Sequence, residues 1–249
     1  MPKKKLNIVL DIDSTLVQTF ESLEDLYNII EEGTDEELLH LQEKTYGFRV
    51  EDPEEDGTTR PYFMWGITRP HLKEFILFCI ENFKNVYIWS AGSSKYVRKI
   101  VEHIFEPLGY VPPIVFDGNH TYINEEQEVV NKPLERIFKE SNGEANEKNT
   151  IAIDDRRDTF SLNEKNGILI PGFDLDDGED EKKSVVKTIE KFIMKDNCLA
   201  ELIVFLDKIK DVDDVRTIDF SNVFSGGGKA VRRGNPVISP SYRKKSGGT

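Results

Sequence analysis

The sequence predicts an α/β fold built on a parallel sheet with helices on both faces. Three observations predict it. Short apolar runs rich in β-branched residues recur along the chain. Segments with helical periodicity separate them. Most of the runs stop at acidic or small residues, as buried strands do when they reach a sheet edge.

Residues 6–10 (LNIVL) form the first such run and end in Asp11-Ile12-Asp13. Residues 86–89 (VYIW) repeat the pattern before Ser90-Ala91-Gly92, and residues 150–153 (TIAI) repeat it before Asp154-Asp155. Residues 167–170 (GILI) make a fourth run, stopped by Pro171-Gly172. Between them, residues 71–83 follow Pro70, a good first-turn residue, and place Leu72, Phe75, Ile76, Phe78 and Cys79 at helical spacing. Residues 94–105 start on a serine cap signal and carry Val97, Ile100, Val101 and Ile104 on one stripe. Residues 133–140 predict a shorter helix.

Two stretches break the alternation. Residues 46–66 hold two β-like runs around Gly57, and residues 114–130 turn near Asn124. Both predict small antiparallel excursions. An acidic loop at 174–183 and helices near 184–194 and 198–210 follow. Residues 225–249, rich in Gly, Ser and basic side chains, predict disorder. The expected organisation is one folded domain over 1–224 and a basic tail over 225–249.

Composition bounds the function. With 249 residues, 38% of them hydrophobic, the chain can bury a sizeable core. A net charge of -13 excludes wholesale attraction to nucleic acid or an anionic membrane. The balance is uneven, because six basic residues (Lys229, Arg232, Arg233, Arg243, Lys244 and Lys245) follow Ser225 with no acidic one. An anionic ligand must therefore be attracted locally. Cys79 and Cys198 read as buried free thiols, which suits a reducing compartment. No apolar run approaches the length of a membrane span or a signal peptide. An intracellular protein, nuclear or cytoplasmic, is expected, with no membrane partner.

In an open α/β sheet, ligands bind beyond the carboxyl ends of the strands. Three strand ends here offer Asp11, Asp13 and Thr15; Ser90; and Asp154 with Asp155. Lys132 precedes a helix and can add a cation. Paired carboxylates suit Mg²⁺, a hard cation that prefers oxygen. Another carboxylate can attack phosphorus, and one two residues on can protonate the leaving oxygen. A hydroxyl and an ammonium can hold the phosphoryl oxygens. Each feature alone has a plainer meaning, such as a capped strand end, a turn serine or a solvated lysine. Their joint order along the chain points to phosphoryl transfer.

These residues resemble the haloacid dehalogenase superfamily of phosphohydrolases, and within it the RNA polymerase II C-terminal-domain phosphatases and NLI-interacting-factor phosphatases. VLDIDSTLV is similar to that family's DLDETL motif. ITRPHLKEF, VYIWSAGSSKYV and IAIDDRRDTF resemble three further family segments, and LAELIVFLDKIKDVDDVRTI resembles the end of the catalytic domain. The resemblance covers roughly residues 5 to 220. It implies the haloacid dehalogenase fold: a Rossmann-like parallel sheet flanked by helices, with small β-hairpin inserts and no large cap domain.

The resemblance also implies roles. Asp11 would be nucleophile and metal ligand. Asp13 would be general acid/base, with its backbone carbonyl on Mg²⁺. Thr15 would support the first loop, and Thr15, Ser90 and Lys132 make up the phosphate-binding set. Asp155 would complete the metal site, and Asp154 would orient the lysine. The implied partner is a phosphorylated protein, with the RNA polymerase II C-terminal domain one candidate substrate. Ser14 stands where the family has glutamate, and Ser90 where it has threonine. Acidic residues Asp117, Glu125, Glu126 and Glu128 leave few phosphate-reading cations in that insert, which speaks against polymerase-tail specificity. No further recognisable domain accompanies the catalytic part, so the bare catalytic form is expected. Competing readings are a non-catalytic scaffold of the same fold and a phosphatase of small molecules or nucleic-acid ends. The basic tail offers a nucleic-acid arm as the minor alternative to a solvated end.

Overall fold

The computed structural model describes residues 4–21, 27, 41–53, 59–124, 129–173 and 195–224. A five-stranded parallel sheet runs through the centre, built from β1 (Asn7–Leu10), β5 (Asn85–Trp89), β6 (Val115–Phe116), β9 (Thr150–Asp154) and β10 (Gly167–Leu169), in the order β10-β9-β1-β5-β6. Beside it lies a three-stranded antiparallel sheet of β2 (Val17–Phe20), β3 (Thr45–Pro53) and β4 (Thr59–Thr68), with β4 central. A two-stranded ribbon pairs β7 (Tyr122–Asn124) with β8 (Val129–Asn131).

Alternating side chains of the parallel strands feed two cores. Ile8, Leu10, Ile88, Ile151 and Ile153 face α1 (Leu72–Asn82), α2 (Ser94–Phe105) and α4 (Cys198–Ile209). Val9, Tyr87, Trp89 and Ala152 face α3 (Glu135–Glu140) and Phe160. Phe75 and Ile76 of α1 are fully buried, each contributing roughly 1.5–3 kcal/mol. The α2 stripe of Val97, Ile100 and Ile104 is buried, and the Ser93 side chain accepts from the Tyr96 amide at the helix start.

The expected parallel sheet, flanking helices and hairpin inserts are all present. Three details differ. The run 114–130 is not wholly an antiparallel excursion: Val115 and Phe116 pair with Ile88 and Trp89 as a fifth parallel strand. Two residues are too few to show periodicity, and Val115 is 38% exposed at the sheet edge. The excursion at 46–66 is widened by β2, which pairs with β4 immediately after the first acidic cluster. Cys79 is buried as expected, but Cys198, at the start of α4, is only half-buried. The Gly57 turn, the acidic loop, the helix near 184–194 and the basic tail lie outside the described residues. Among the described residues no helix is long and apolar enough to cross a membrane.

Candidate active site

Sheet register assembles the site. Leu10 is level with Ile88 on one side and Ile153 on the other. Asp11 therefore leaves β1 beside the carboxyl ends of β5 and β9, where Ser90 and Asp154 sit. The chain then turns tightly: the amides of Leu16 and Val17 both donate to the Ile12 carbonyl, at 2.8 and 3.2 Å. Ser14 takes a left-handed conformation with φ 58°, uncommon for a residue other than glycine. Its hydroxyl donates to Gln18 Oε1 at 3.2 Å.

Lys132 is the hub. It is 9% exposed, and its Nζ donates to Asp11 Oδ1 at 2.5 Å and to Asp154 Oδ2 at 2.7 Å. The other oxygen of Asp154 accepts from the Arg156 amide at 2.9 Å. Burial alone would lower the pKa of Lys132. The charges of Asp11 and Asp154 outweigh it and hold the ammonium above its ordinary value. Burial, with Asp11 beside it, pushes Asp154 up to about 8. The same two causes raise Asp13 to about 6, against the opposing hydrogen bonds of Tyr96 and Ser90.

Asp13 has partners of its own. Its Oδ2 accepts from Ser90 Oγ at 3.2 Å and its Oδ1 from the Tyr96 hydroxyl. Ser90 Oγ also accepts from the Gly92 amide at 2.9 Å. Ligand oxygens of Asp11, Asp154 and Asp155 lie within 4.8 Å of one another. Three carboxylates so close, with oxygen donors only, suit a hard divalent cation. Thr15 is fully buried, and its hydroxyl is the one buried side-chain polar atom without a hydrogen-bond partner among the described residues.

The structure thus gathers Asp11, Lys132, Asp154 and Asp155 at one point, and Asp13 with Ser90 beside them. Thr15 lies in the same loop as Asp11 and Asp13.

Sequence reasoning missed two contributors. Tyr96 touches Asp13 although it lies in the quoted stretch VYIWSAGSSKYV. Arg69, in ITRPHLKEF, is 1% exposed and sits under the first loop. Its Nη1 donates to the Thr15 carbonyl at 3.1 Å and its Nη2 to the Pro171 carbonyl at 2.7 Å. Both residues stood inside motif-like segments, yet only folding shows what they touch.

A parallel α/β sheet with aspartates at the ends of β1 and β9 is the arrangement of the haloacid dehalogenase type of fold. The chain belongs to the NLI interacting factor-like phosphatase family, whose model matches residues 6–216. Solved structures share the fold. One is a variant of the fission yeast RNA polymerase II CTD phosphatase Fcp1 bound to beryllium fluoride, with a TM-score of 0.61 at 15% identity. Another is Fcp1 described as an essential RNA polymerase II CTD phosphatase, with a TM-score of 0.61 at 17% identity. Each alignment covers 83% of this chain and 62% of the other, so this chain spans less than two thirds of those proteins. No curated protein matches it.

Proposed function

We propose that this chain is a Mg²⁺-dependent phosphoprotein phosphatase that removes phosphate from serine or threonine through an aspartyl-phosphate on Asp11. The observation that carries it is the Lys132 ammonium, bridging Asp11 and Asp154 at the strand ends. A buried cation beside a buried carboxylate gives the nucleophile an electrostatic partner for an arriving phosphoryl group.

An Asp11 oxygen attacks phosphorus as the bond to the serine or threonine oxygen breaks. Asp13 gives its proton to that leaving oxygen. A raised pKa lets this carboxyl hold a proton near neutral pH. Water then attacks the phosphorus while Asp13 takes its proton, which frees Asp11 and inorganic phosphate. Lys132 balances charge on the phosphoryl oxygens, and Asp154 keeps the lysine oriented. Ser90 and Thr15 complete the phosphate-binding set; the unpartnered Thr15 hydroxyl has a donor to spare. Asp11 and Asp155, with the Asp13 carbonyl, would hold Mg²⁺, which supplies charge neutralisation at the phosphate.

The family and the Fcp1 likeness support a phosphorylated protein as substrate. The polymerase tail itself is a candidate, as is residence in the nucleus or cytoplasm. Catalysis is assigned to residues 1–224, and the basic stretch 225–249 stands outside it.

The test is phosphate release from phosphoserine peptides, polymerase-tail repeats among them, with Mg²⁺ and with EDTA. Release should require Mg²⁺ and vanish in Asp11→Asn, whose circular dichroism should stay native. Activity retained in Asp11→Asn would remove the nucleophile assignment. Turnover of an aryl phosphate alone would move the substrate away from proteins. Silence on both would favour a non-catalytic scaffold.

A further inference from the structure

We infer that Tyr96 is a positioning residue for Asp13, held in place by a hydroxyl relay that reaches into the inserted three-stranded sheet. The inference rests on the proposed role of Asp13 as the group that protonates the leaving oxygen.

The Tyr96 hydroxyl donates to Asp13 Oδ1. The same oxygen lies 2.7 Å from Thr19 Oγ1, which lies 2.5 Å from the Tyr46 hydroxyl. Each hydroxyl has one proton. With Tyr96 donating to the carboxylate, Thr19 donates to Tyr96 and Tyr46 donates to Thr19. The relay joins four elements: the first loop, β2, β3 and α2. It ends at Tyr46, 4% exposed, whose ring lies 5.0 Å from that of His103 on α2.

Tyr96 is not placed to read substrate, since it is 6% exposed and its hydroxyl is spent on Asp13 and Thr19. Its ring is pinned from two sides. A Cβ at Gly92 would fall 2.6 Å from Tyr96 Cδ1, so glycine is what lets the backbone approach the ring. The Phe48 ring from β3 lies 6.2 Å away. Ser90 holds the other oxygen of Asp13. With both carboxyl oxygens tied, Asp13 keeps one orientation. A hydroxyl suits the task because it can donate to a carboxylate or accept from a carboxylic acid, as no ammonium or guanidinium can. Asp13 alternates between those forms in the proposed reaction.

The discriminating readout is dependence on the leaving group. A misplaced Asp13 penalises esters whose leaving oxygen needs a proton and spares those that leave without one. kcat/KM, which reports formation of the phosphoenzyme, is measured with Mg²⁺ for phosphoserine peptide, an alkyl phosphate, phenyl phosphate and 4-nitrophenyl phosphate. In Tyr96→Phe, kcat/KM should fall about a hundredfold for the alkyl esters, the scale of acid catalysis, and stay near wild type for 4-nitrophenyl phosphate. KM should change little for the alkyl esters, whose slow step is the one that needs the proton. Thr19→Val, which leaves Tyr96 on Asp13 but removes its donor, should show the same trend more weakly. Equal losses across the series, or none, would overturn the positioning role. A wild-type enzyme active on the small esters but not the peptide would sink the protein-substrate reading alone, because the slope still reports on Tyr96. A wild type inactive on every ester would overturn both.

Discussion

Arg69 and Asp196 form a two-pronged ion pair beneath the first loop: Nε meets Oδ1 at 3.0 Å and Nη2 meets Oδ2 at 2.7 Å. The arginine side chain is fully buried and the aspartate 10% exposed. The same guanidinium lies 5.5 Å from the Phe173 ring and donates to the carbonyls of Thr15 and Pro171. One side chain therefore ties the loop carrying Asp11 and Asp13 to the end of β10 and the start of α4.

Removing it should cost stability first. Arg69→Ala leaves a carboxylate and several carbonyls unpaired, and breaking a buried pair costs about 3–5 kcal/mol. Arg69→Lys should recover little, because an ammonium cannot hold a carboxylate with two parallel bonds while reaching two carbonyls. Urea midpoints for the three proteins test this. A loss in Arg69→Ala no larger than the roughly 1 kcal/mol of a surface pair would mean that the clamp is dispensable.

Much of this site was legible before folding. Asp11, Asp154 and Lys132 stand next to apolar runs or helix starts, and the rule that ligands gather at strand ends brings them together. Asp154 lies beside the lysine, with Oδ2 2.7 Å from its Nζ. The relay and the clamp were not legible, since Tyr96 and Thr19 are 77 residues apart and Arg69 and Asp196 are 127 apart. No periodicity encodes such contacts. Strands were missed where the apolar run broke: Val17–Phe20 (VQTF) carries two polar residues in its middle, and Val115–Phe116 is only two residues long.

Metal binding should depend on pH in a direction fixed by the carboxyls. Asp13 is raised to about 6 and Asp154 to about 8, chiefly by burial and then by Asp11. Groups raised in the folded state favour folding most below their unfolded values near 4. That contribution is lost as pH rises through about 6 and then about 8. A divalent cation offsets the charge that accumulates. The melting temperature should therefore rise with Mg²⁺ by on the order of 5 °C near pH 8, and by less near pH 5.5. Thermal melts with MgCl₂ or EDTA across that range test it. A shift that is constant, or larger in acid, would separate the carboxyls from the metal.

Gly92 is predicted to act through Tyr96. Gly92→Ala would bring a methyl group 2.6 Å from Cδ1, 3.1 Å from Cε1 and 3.2 Å from Ser90 Oγ. The ring must move, and its hydroxyl with it. Turnover of phosphoserine peptide should fall about tenfold, at an overpacking cost of about 1–3 kcal/mol. In a Tyr96→Phe background the same substitution should cost turnover little, because residues acting as one unit are not additive. A double-mutant cycle in kcat decides; additive losses would show that Gly92 serves the Ser90 loop independently.

Lys132→Met separates the lysine's electrostatic role from its packing. Methionine keeps an unbranched apolar stem but leaves Asp11 and Asp154 facing each other with no cation between them. Both are buried, at 6% and 3% exposure. Breaking buried pairs of this kind costs about 3–5 kcal/mol. The loss should be larger in EDTA than in Mg²⁺, since a divalent ion on the neighbouring carboxylates restores part of the missing positive charge. Turnover should fall about 10²–10³-fold even with saturating Mg²⁺, the scale for losing one preorganised donor to a reacting oxyanion. Denaturant midpoints in both buffers, with kcat alongside, test the two roles separately. Equal destabilisation in EDTA and Mg²⁺ would mean that lysine and metal do not share the same carboxylates. Retained turnover would remove Lys132 from the phosphoryl-binding set.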